Sequence, residues 1–331
     1  MVERTFIAQS ASHDPWYNLA LEELLLQRVQ PGEVILYLWQ NEQTVVIGRN
    51  QNAWRECRCQ LLESEGGKLA RRLSGGGAVY HDLGNLNFTF LTTRSHYDLS
   101  KQLGVILDAL VALGVQAEFS GRNDLTAAGR KFSGNAYYYY KDAAMHHGTI
   151  LVHTDFAKAA RYLQPSQQKM EAKGVRSVSS RIINLTELVP DLTIHKVIEG
   201  LRTSFVKLYG GEGTELDLGV YHGKAQELYA RYASWQWRYG QTPAFDLSFT
   251  TRFPWGEVTV ECAVQQGRIV DVAVYSDALV YTLTDYVRSA LLGSTFSPAA
   301  VEAAFAALEA EELSAELGDV QAWLVAEIAK A

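Results

Sequence analysis

The feature that most restricts the fold is the order of β-rich runs, which follow one another with hairpin-length connections and only single helices between groups of them. Residues 34–39 and 44–47 are rich in β-branched and aromatic side chains, and the polar turn Gln40 to Gln43 between them predicts a hairpin. Residues 78–81 and 87–91 are split by Asp82-Leu83-Gly84, and residues 131–140 and 148–152 read as further strands. A regular βαβ wind needs a crossover helix between parallel strands. This order therefore predicts a largely antiparallel α+β sheet.

Capping residues locate the helices. Asp14-Pro15 supplies an N-cap and a proline at the first helical position, Leu21, Leu24, Leu25 and Val29 follow at helical spacing, and Pro31-Gly32 stops the run. Helices are also expected at about 56–66, at 100–113 closed by Gly114, and at 193–209 ended by Gly210-Gly211. The pattern resets at about Gln241 to Ala244, after the aromatic stretch Trp235-Gln-Trp-Arg-Tyr. Beyond it, residues 258–264 and 269–275 form a hairpin about Gln266-Gly267, with helices at about 282–292, 298–312 and 319–329. Ser297 is an N-cap there, Pro298 takes the first helical position, and Phe296 and Val301 are placed as a hydrophobic staple. The division expected is 1–243 and 244–331, and the smaller part, with no obvious reactive group, reads as a lid or interaction domain.

Composition excludes several classes of function. Of 331 residues, 47% are apolar, enough for a sizeable core. Acids outnumber bases 37 to 30, a net charge of −7, so the overall field does not draw in nucleic acid or an anionic membrane. Three cysteines rule out a disulfide scaffold and point to a reducing compartment, and Cys57-x-Cys59 alone offers too few ligands for structural zinc. No apolar run is long enough to span a membrane, and the first residues carry acid and lack an apolar leader core. A soluble cytoplasmic protein is expected.

Four segments can carry chemistry. In Arg71-Arg72-Leu73-Ser74-Gly75-Gly76-Gly77-Ala78-Val79-Tyr80-His81-Asp82, three glycines let backbone approach a ligand and aim N–H groups at one anion, and two arginines add forked cationic donors. No Gly-Lys-Ser/Thr follows, and Tyr80 breaks the dinucleotide spacing, so neither common phosphate-loop motif is present. Gly121-Arg122-Asn123-Asp124 and Arg130-Lys131-Phe132-Ser133-Gly134 set cations on turn-rich sequence beside a strand, where Lys131 can serve as a point charge and Asp124 can face a nucleotide-borne magnesium ion. His146-His147-Gly148-Thr149 lies on a strand, so its two histidines face opposite ways, one to a pocket and the other to solvent. Residues 165–181 hold Lys169, Lys173, Arg176 and Arg181 against one acid, Glu171, a flexible basic loop suited to closing over phosphates. Taken singly, each also reads as an ordinary turn, core histidine or solvated loop.

Together these segments resemble the lipoate–protein ligase A family, from Asp14-Pro15-Trp16-Tyr17-Asn18 through Gly48-Arg49-Asn50-Gln51-Asn52 and the glycine loop to Ala172-Lys173-Gly174 and Asn184-Leu-Thr-Glu-Leu188. The later part, with Pro243-Ala244-Phe245, is similar to the accessory domain of the long, two-domain members. The resemblance implies the fold shared by biotin protein ligases and class II aminoacyl-tRNA synthetase cores. It implies that the lipoate carboxylate attacks the α-phosphate of Mg·ATP to give lipoyl-AMP and pyrophosphate. A lysine of an apo lipoyl domain then takes the acyl group and AMP leaves. Acceptors implied are 2-oxoacid dehydrogenase acyltransferase subunits and the glycine-cleavage H protein.

By the same resemblance, Lys131 bridges the lipoyl carbonyl and the phosphate. Arg72 and Gly77, Ala78, Val79 and Tyr80 fall at ATP-contacting positions. Ser74, Gly75, Gly76, His81, Asn123, Asp124, Ser133, His147 and Thr149 fall at pocket positions for lipoate or lipoyl-AMP, and Lys173, Arg176 and Arg181 at the adenylate-binding loop. Two departures stand out: the turn from Asp124 to Arg130 is short, and Tyr138 stands where some members carry arginine. The rival readings are a cofactorless octanoyl or lipoyl transferase of the same superfamily, which needs a cysteine nucleophile that the region around Lys131 lacks, and a catalytically silent lipoate-binding protein.

Overall fold

The computed structural model describes residues 2–120, 124–164, 181–239, 247–265, 267–310 and 313–329. The first helix, Pro15–Arg28, begins where the sequence predicts, with the Asp14 carboxylate accepting from the backbone N–H of Trp16 and Tyr17. Its leucines pack on one face of an eight-stranded sheet in the order β11-β1-β2-β6-β10-β9-β8-β7. The strands are β1 (Arg4–Gln9), β2 (Glu33–Trp39), β6 (Asn85–Thr93), β7 (Ala117–Ser120), β8 (Asp124–Ala127), β9 (Arg130–Tyr140), β10 (Ala143–Leu151) and β11 (Thr214–Glu215). Pairing is parallel at β11-β1-β2 and antiparallel from β2 to β7, so the mixed α+β expectation is met.

Apolar residues alternate to both faces of this sheet. Phe88, Phe90 and Leu36 pack under helices Leu99–Ala112 and Ile194–Tyr209. Tyr37, Trp39 and Met145 face the first helix and helix His222–Ala233. A smaller sheet of β3 (Thr44–Ile47), β4 (Lys68–Arg71) and β5 (Val79–His81) lies in the order β4-β3-β5. C-terminal strands β12 (Leu247–Phe253), β13 (Gly256–Gln265) and β14 (Arg268–Ser276) form an antiparallel meander. Helices Leu283–Leu291, Pro298–Ala306 and Ser314–Ile328 close its core.

Three local expectations are corrected. Residues 34–39 and 44–47 are strands but not a hairpin: β2 sits between β1 and β6, whereas β3 sits between β4 and β5. The link between them is held by the first helix instead, for the Asn18 amide donates to Gln40 O at 2.8 Å and to Asn41 Oδ1 at 3.0 Å. The helix expected at 56–66 is two short ones, Ala53–Glu56 and Cys59–Ser64, because Cys57 bridges to Leu163 and Arg58 N–H bonds Tyr162 O at 2.9 Å. The helix expected at 298–312 ends at Ala306. The boundary expected after residue 243 lies outside the described residues.

Candidate functional site

Polar side chains gather between the central sheet and the loop Ser74 to Gly77, where His147 meets Ser74 Oγ and Thr149 meets Gly134. Strand alternation brings them there. His147 pairs with Thr89 and Ala136, Thr149 pairs with Asn87, and Asn87 pairs with Trp39, so these side chains share the face that the first helix covers. Both histidines of the pair are buried, which corrects the expectation that one faces solvent. They do point to opposite faces. His146 bonds Gln102 Oε1 at 3.0 Å and Asn135 Oδ1 at 2.8 Å. His147 bonds Glu22 Oε1 at 2.8 Å and Ser74 Oγ at 2.6 Å.

Lys131 reaches the same sheet face through an irregularity. Gly134 pairs with Asp124 and Ser133 with Leu125, but Lys131 pairs with Thr126, which leaves Phe132 as an extra residue. The bulge turns Lys131 onto the face of Gly134, where a regular strand would have put it on the opposite one. Its Nζ lies 3.0 Å from where a Cβ of Gly134 would stand, and Gly134 N–H bonds Thr149 Oγ1 at 3.3 Å. Asp124 Oδ1 lies 2.6 Å from the ammonium, which remains 37% exposed. Arg181 O and Ile183 N bond the Lys131 backbone at 2.8 and 2.9 Å, so the end of the basic segment is tied to the lysine.

The glycine loop is built from within. The Arg71 guanidinium donates to the carbonyls of Gly48, Arg49, Gln51, Trp237 and Arg238. Arg72 donates to Val46 O, Gly75 O, Gly77 O and Ser74 Oγ. Both are buried, and burial pulls each guanidinium down to about 10. The forked donors expected to be available to a ligand are spent here on protein carbonyls, while the positive charge stays beneath the loop. Gly76 needs its glycine because φ is +88°, and a Cβ on Gly75 would overlap Ala278 O. Gly76 N–H bonds that carbonyl at 3.0 Å, so one donor of the loop is met by the C-terminal part. Nothing lies within 4 Å of a Cβ placed on Gly77.

The other sequence candidates divide cleanly. His81 is buried beside Trp39, its Nδ1 3.1 Å from Asn41 Nδ2 and its Nε2 without a partner among the described residues. Burial, then the Arg72 charge, pushes it down to about 3, so it is neutral with Nε2–H as a ready donor. Ser133 faces the opposite way from Lys131: it pairs with core residue Leu125 and accepts from Asn135 Nδ2 at 3.4 Å. Asn123, Lys173 and Arg176 lie outside the described residues. Among the described residues, no group of three His, Cys, Asp or Glu gathers as a metal centre, and no helix is long and apolar enough to cross a membrane. Glu22, Thr89 and Trp39 escaped the sequence reading. Glu22 is only 1% exposed on an apolar helix face, and a charged residue inside such a stripe was the available signal.

The sheet, the glycine loop and the bulged lysine strand define a mixed α+β catalytic-domain fold with a separate C-terminal part. Residues 14–206 match the model of the lipoyl protein ligase A/B catalytic domain, and residues 242–324 that of the bacterial lipoate protein ligase C-terminus. The chain belongs to the lipoyl protein ligase A/B family and carries this C-terminal domain. Among solved structures, P. falciparum LipL1 in complex with lipoate is 30% identical, with 97% of this chain and 99% of that one covered and a TM-score of 0.85. The bipartite lipoate protein ligase of Thermoplasma acidophilum, described with its E2 lipoyl domain, is 27% identical over 75% of this chain and all of that one, with a TM-score of 0.64. A lipoate-protein ligase A bound with ATP is 27% identical over 72% of this chain and 99% of that one, with a TM-score of 0.62.

Proposed function

We propose that this protein activates lipoate with ATP and transfers the lipoyl group to a lysine of an apo lipoyl domain, as in salvage of free lipoate. A carboxylate attacking a phosphate brings like charges together, so the site must supply cations and donors. The observation that carries the reading is the bulge that turns the Lys131 ammonium onto the sheet face of Gly134, beside Thr149. There it bridges the acyl oxygen and the phosphate, stabilising the charge that develops in both steps. Arg72 supplies positive potential from behind the loop. Gly77, Ala78, Val79 and Tyr80 line the nucleotide side, and Ser74, Gly75, Gly76, His81, His147 and Thr149 the acyl side. Lys173, Arg176 and Arg181 belong to a loop that covers the adenylate and keeps water from the mixed anhydride.

Magnesium enters as part of the nucleotide substrate. We assign Asp124, the carboxylate paired with Lys131, to face that ion. The acceptors proposed are 2-oxoacid dehydrogenase acyltransferase subunits and the glycine-cleavage H protein, with the division into two domains at residue 243. The cofactorless transferase reading lacks its nucleophile: Cys57 and Cys59 are buried around the small sheet and Cys262 in the core of the C-terminal meander. Mass spectrometry of an apo lipoyl domain incubated with the protein, lipoate and ATP tests the proposal. The expected result is one lipoyl amide per domain, with lipoate-dependent pyrophosphate release and none without ATP. Binding of lipoate with no pyrophosphate release would leave only the silent-binder reading.

A further inference from the structure

Residues 181–187 run beside the lysine on which the proposed chemistry depends. Both backbone groups of Lys131 are bonded to this segment: its N–H donates to Arg181 O at 2.8 Å, and its carbonyl accepts from Ile183 N–H at 2.9 Å. Lys131 and Ile182 are thereby paired in parallel. Strands β9 and β10 pair only from Tyr140 to Asn135, so the segment takes the place of β10 beside Lys131. The segment is itself anchored. Ile183 and Leu185 are buried in the same core cluster as Phe132, the extra residue of the bulge. The Asn184 amide clips the backbone of buried Thr154: Oδ1 accepts from Thr154 N–H and Nδ2 donates to Thr154 O, both at 2.9 Å. Glu187 joins the two strands of this contact. Its Oε1 accepts from Asn184 N–H at 3.1 Å, and its Oε2 lies 3.0 Å from Nη1 of Arg130, the residue before Lys131.

We propose that residues 181–187 brace the bulge at Lys131, with Asn184 and Glu187 as positioning residues for the lysine. The inference rests on the function proposed above, since it takes Lys131 as the charge that acts there. A bulge interrupts the ladder and leaves one residue unpaired, so β8 alone does not fix the direction in which the lysine points. A slip of one residue would turn Lys131 to the opposite face of the sheet. The bonds to Arg181 and Ile183 pin its backbone on the other edge and hold the bulge in place. Asn184 fixes the chain one residue beyond Ile183, and it does so on a base that is hydrogen-bonded in turn, for Val152 N–H and His153 N–H both bond Gly84 O at 3.0 Å. Glu187 holds the other side of the lysine through Arg130. The two contributions are unequal. The paired amide bonds of Asn184 outweigh an ion pair whose side chains are 35% and 44% exposed and therefore screened by water.

Asn184→Ala tests this, because it removes both bonds to Thr154 and leaves every charge around Lys131 unchanged. Pyrophosphate release from ATP and lipoate is expected to slow by on the order of tenfold with KM for lipoate unchanged, since displacing a reacting group by about 1 Å can cost about 10². In a Lys131→Ala background the same substitution is expected to add nothing, because there is no ammonium left to position. Equal slowing in both backgrounds would mark a merely structural role and overturn the proposal, as would a wild-type rate for Asn184→Ala. Glu187→Gln lies on the surface, keeps the acceptor for Asn184 N–H and removes the charge facing Arg130, and a loss of only about two- to threefold is expected from a weak, half-exposed pair. A second measurement needs no substrate. Hydrogen exchange of the Lys131 and Ile183 amides is expected to quicken by about tenfold in Asn184→Ala, with the amides of Phe88 and Phe90 on β6 unchanged. Unchanged exchange at Lys131 and Ile183 would overturn the brace. Absence of lipoyl-AMP formation by the wild-type protein would instead strike the proposed function, with the exchange measurement still deciding the brace.

Discussion

His146 and His147 are neighbours on one strand and both are buried, yet they sit in opposite chemical worlds. His146 lies in an aromatic cage, with the rings of Phe88, Phe90 and Tyr137 at 5.5, 5.8 and 5.2 Å and two side-chain amides on its nitrogens. Burial pushes it down to about 3, so it stays neutral and serves packing. His147 meets a carboxylate, a hydroxyl and, through that hydroxyl, a guanidinium. The comparison teaches that the central sheet separates two interiors: one face excludes charge, and the other collects it at Lys131, Asp124, Arg72 and Glu22 without opening it fully to water.

If that division holds, damage on the two faces must read out differently. The largest expected effect is at the charged face: Lys131→Ala should reduce lipoyl-AMP formation by roughly 10²–10³, the usual cost of losing one electrostatic contact to a transition state. Its melting temperature should stay near wild type, because the ammonium is partly exposed. Pyrophosphate release and thermal melts check both halves, and normal adenylation by the variant would remove the role given to this lysine.

The packing face should answer to pH instead of substrate. His146 on this face is held down to about 3, as is His81 on the charged face, both far below their unfolded value. Between about pH 3 and 6.5 the unfolded chain binds protons that the folded chain refuses, so stability must fall as pH drops through that window and level off above it. At pH 5 the loss is up to about 2 kcal/mol per histidine, taking 1.36 kcal/mol per pKa unit. Denaturant melts at pH 7.5 and 5 measure it, and His146→Gln should flatten the slope by about half of the histidine contribution. An unchanged slope in that variant would mean that His146 is not held neutral.

The smallest expected effect is at the contact with the C-terminal part. Tyr281 donates its hydroxyl to Tyr139 O at 2.9 Å and packs on Tyr138, with ring centroids 4.8 Å apart. Tyr281→Phe removes the hydrogen bond and keeps the ring, so about 1 kcal/mol of docking should be lost. Increased cleavage by protease checks this, with adenylation compared in parallel. Unchanged cleavage would show that Ala278 on Gly76 and Ser276 on Asn50 suffice to seat this part.

Much of the site was legible one residue at a time. Three adjacent glycines, a lysine between small residues and a His-His-Gly-Thr run each announce a position, and the structure brings Ser74 to Gly77, Lys131, Asp124, His147 and Thr149 together. Ser133 went astray because strand parity was broken between it and Lys131. Arg71 and Arg72 went astray because a guanidinium reads as a ligand group in sequence, whereas here carbonyls from distant segments surround it. Glu22 gave too faint a signal: one acid on a leucine-rich helix looks like an edge residue until its partners on β6 and β10 are in place.

By itself the sequence determined what is short-ranged: the helix starts at Asp14 and Ser297, the left-handed glycines at 114 and 210, and the two-residue rhythm of the strands. These depend on backbone geometry within one turn of chain, so a few neighbouring side chains decide them. Tertiary structure alone decided which sheet β3 joined, where β9 bulged and which partners the buried polar groups met. Those choices follow from partners far away in sequence, because a buried polar group takes whichever donor or acceptor the packed fold places beside it.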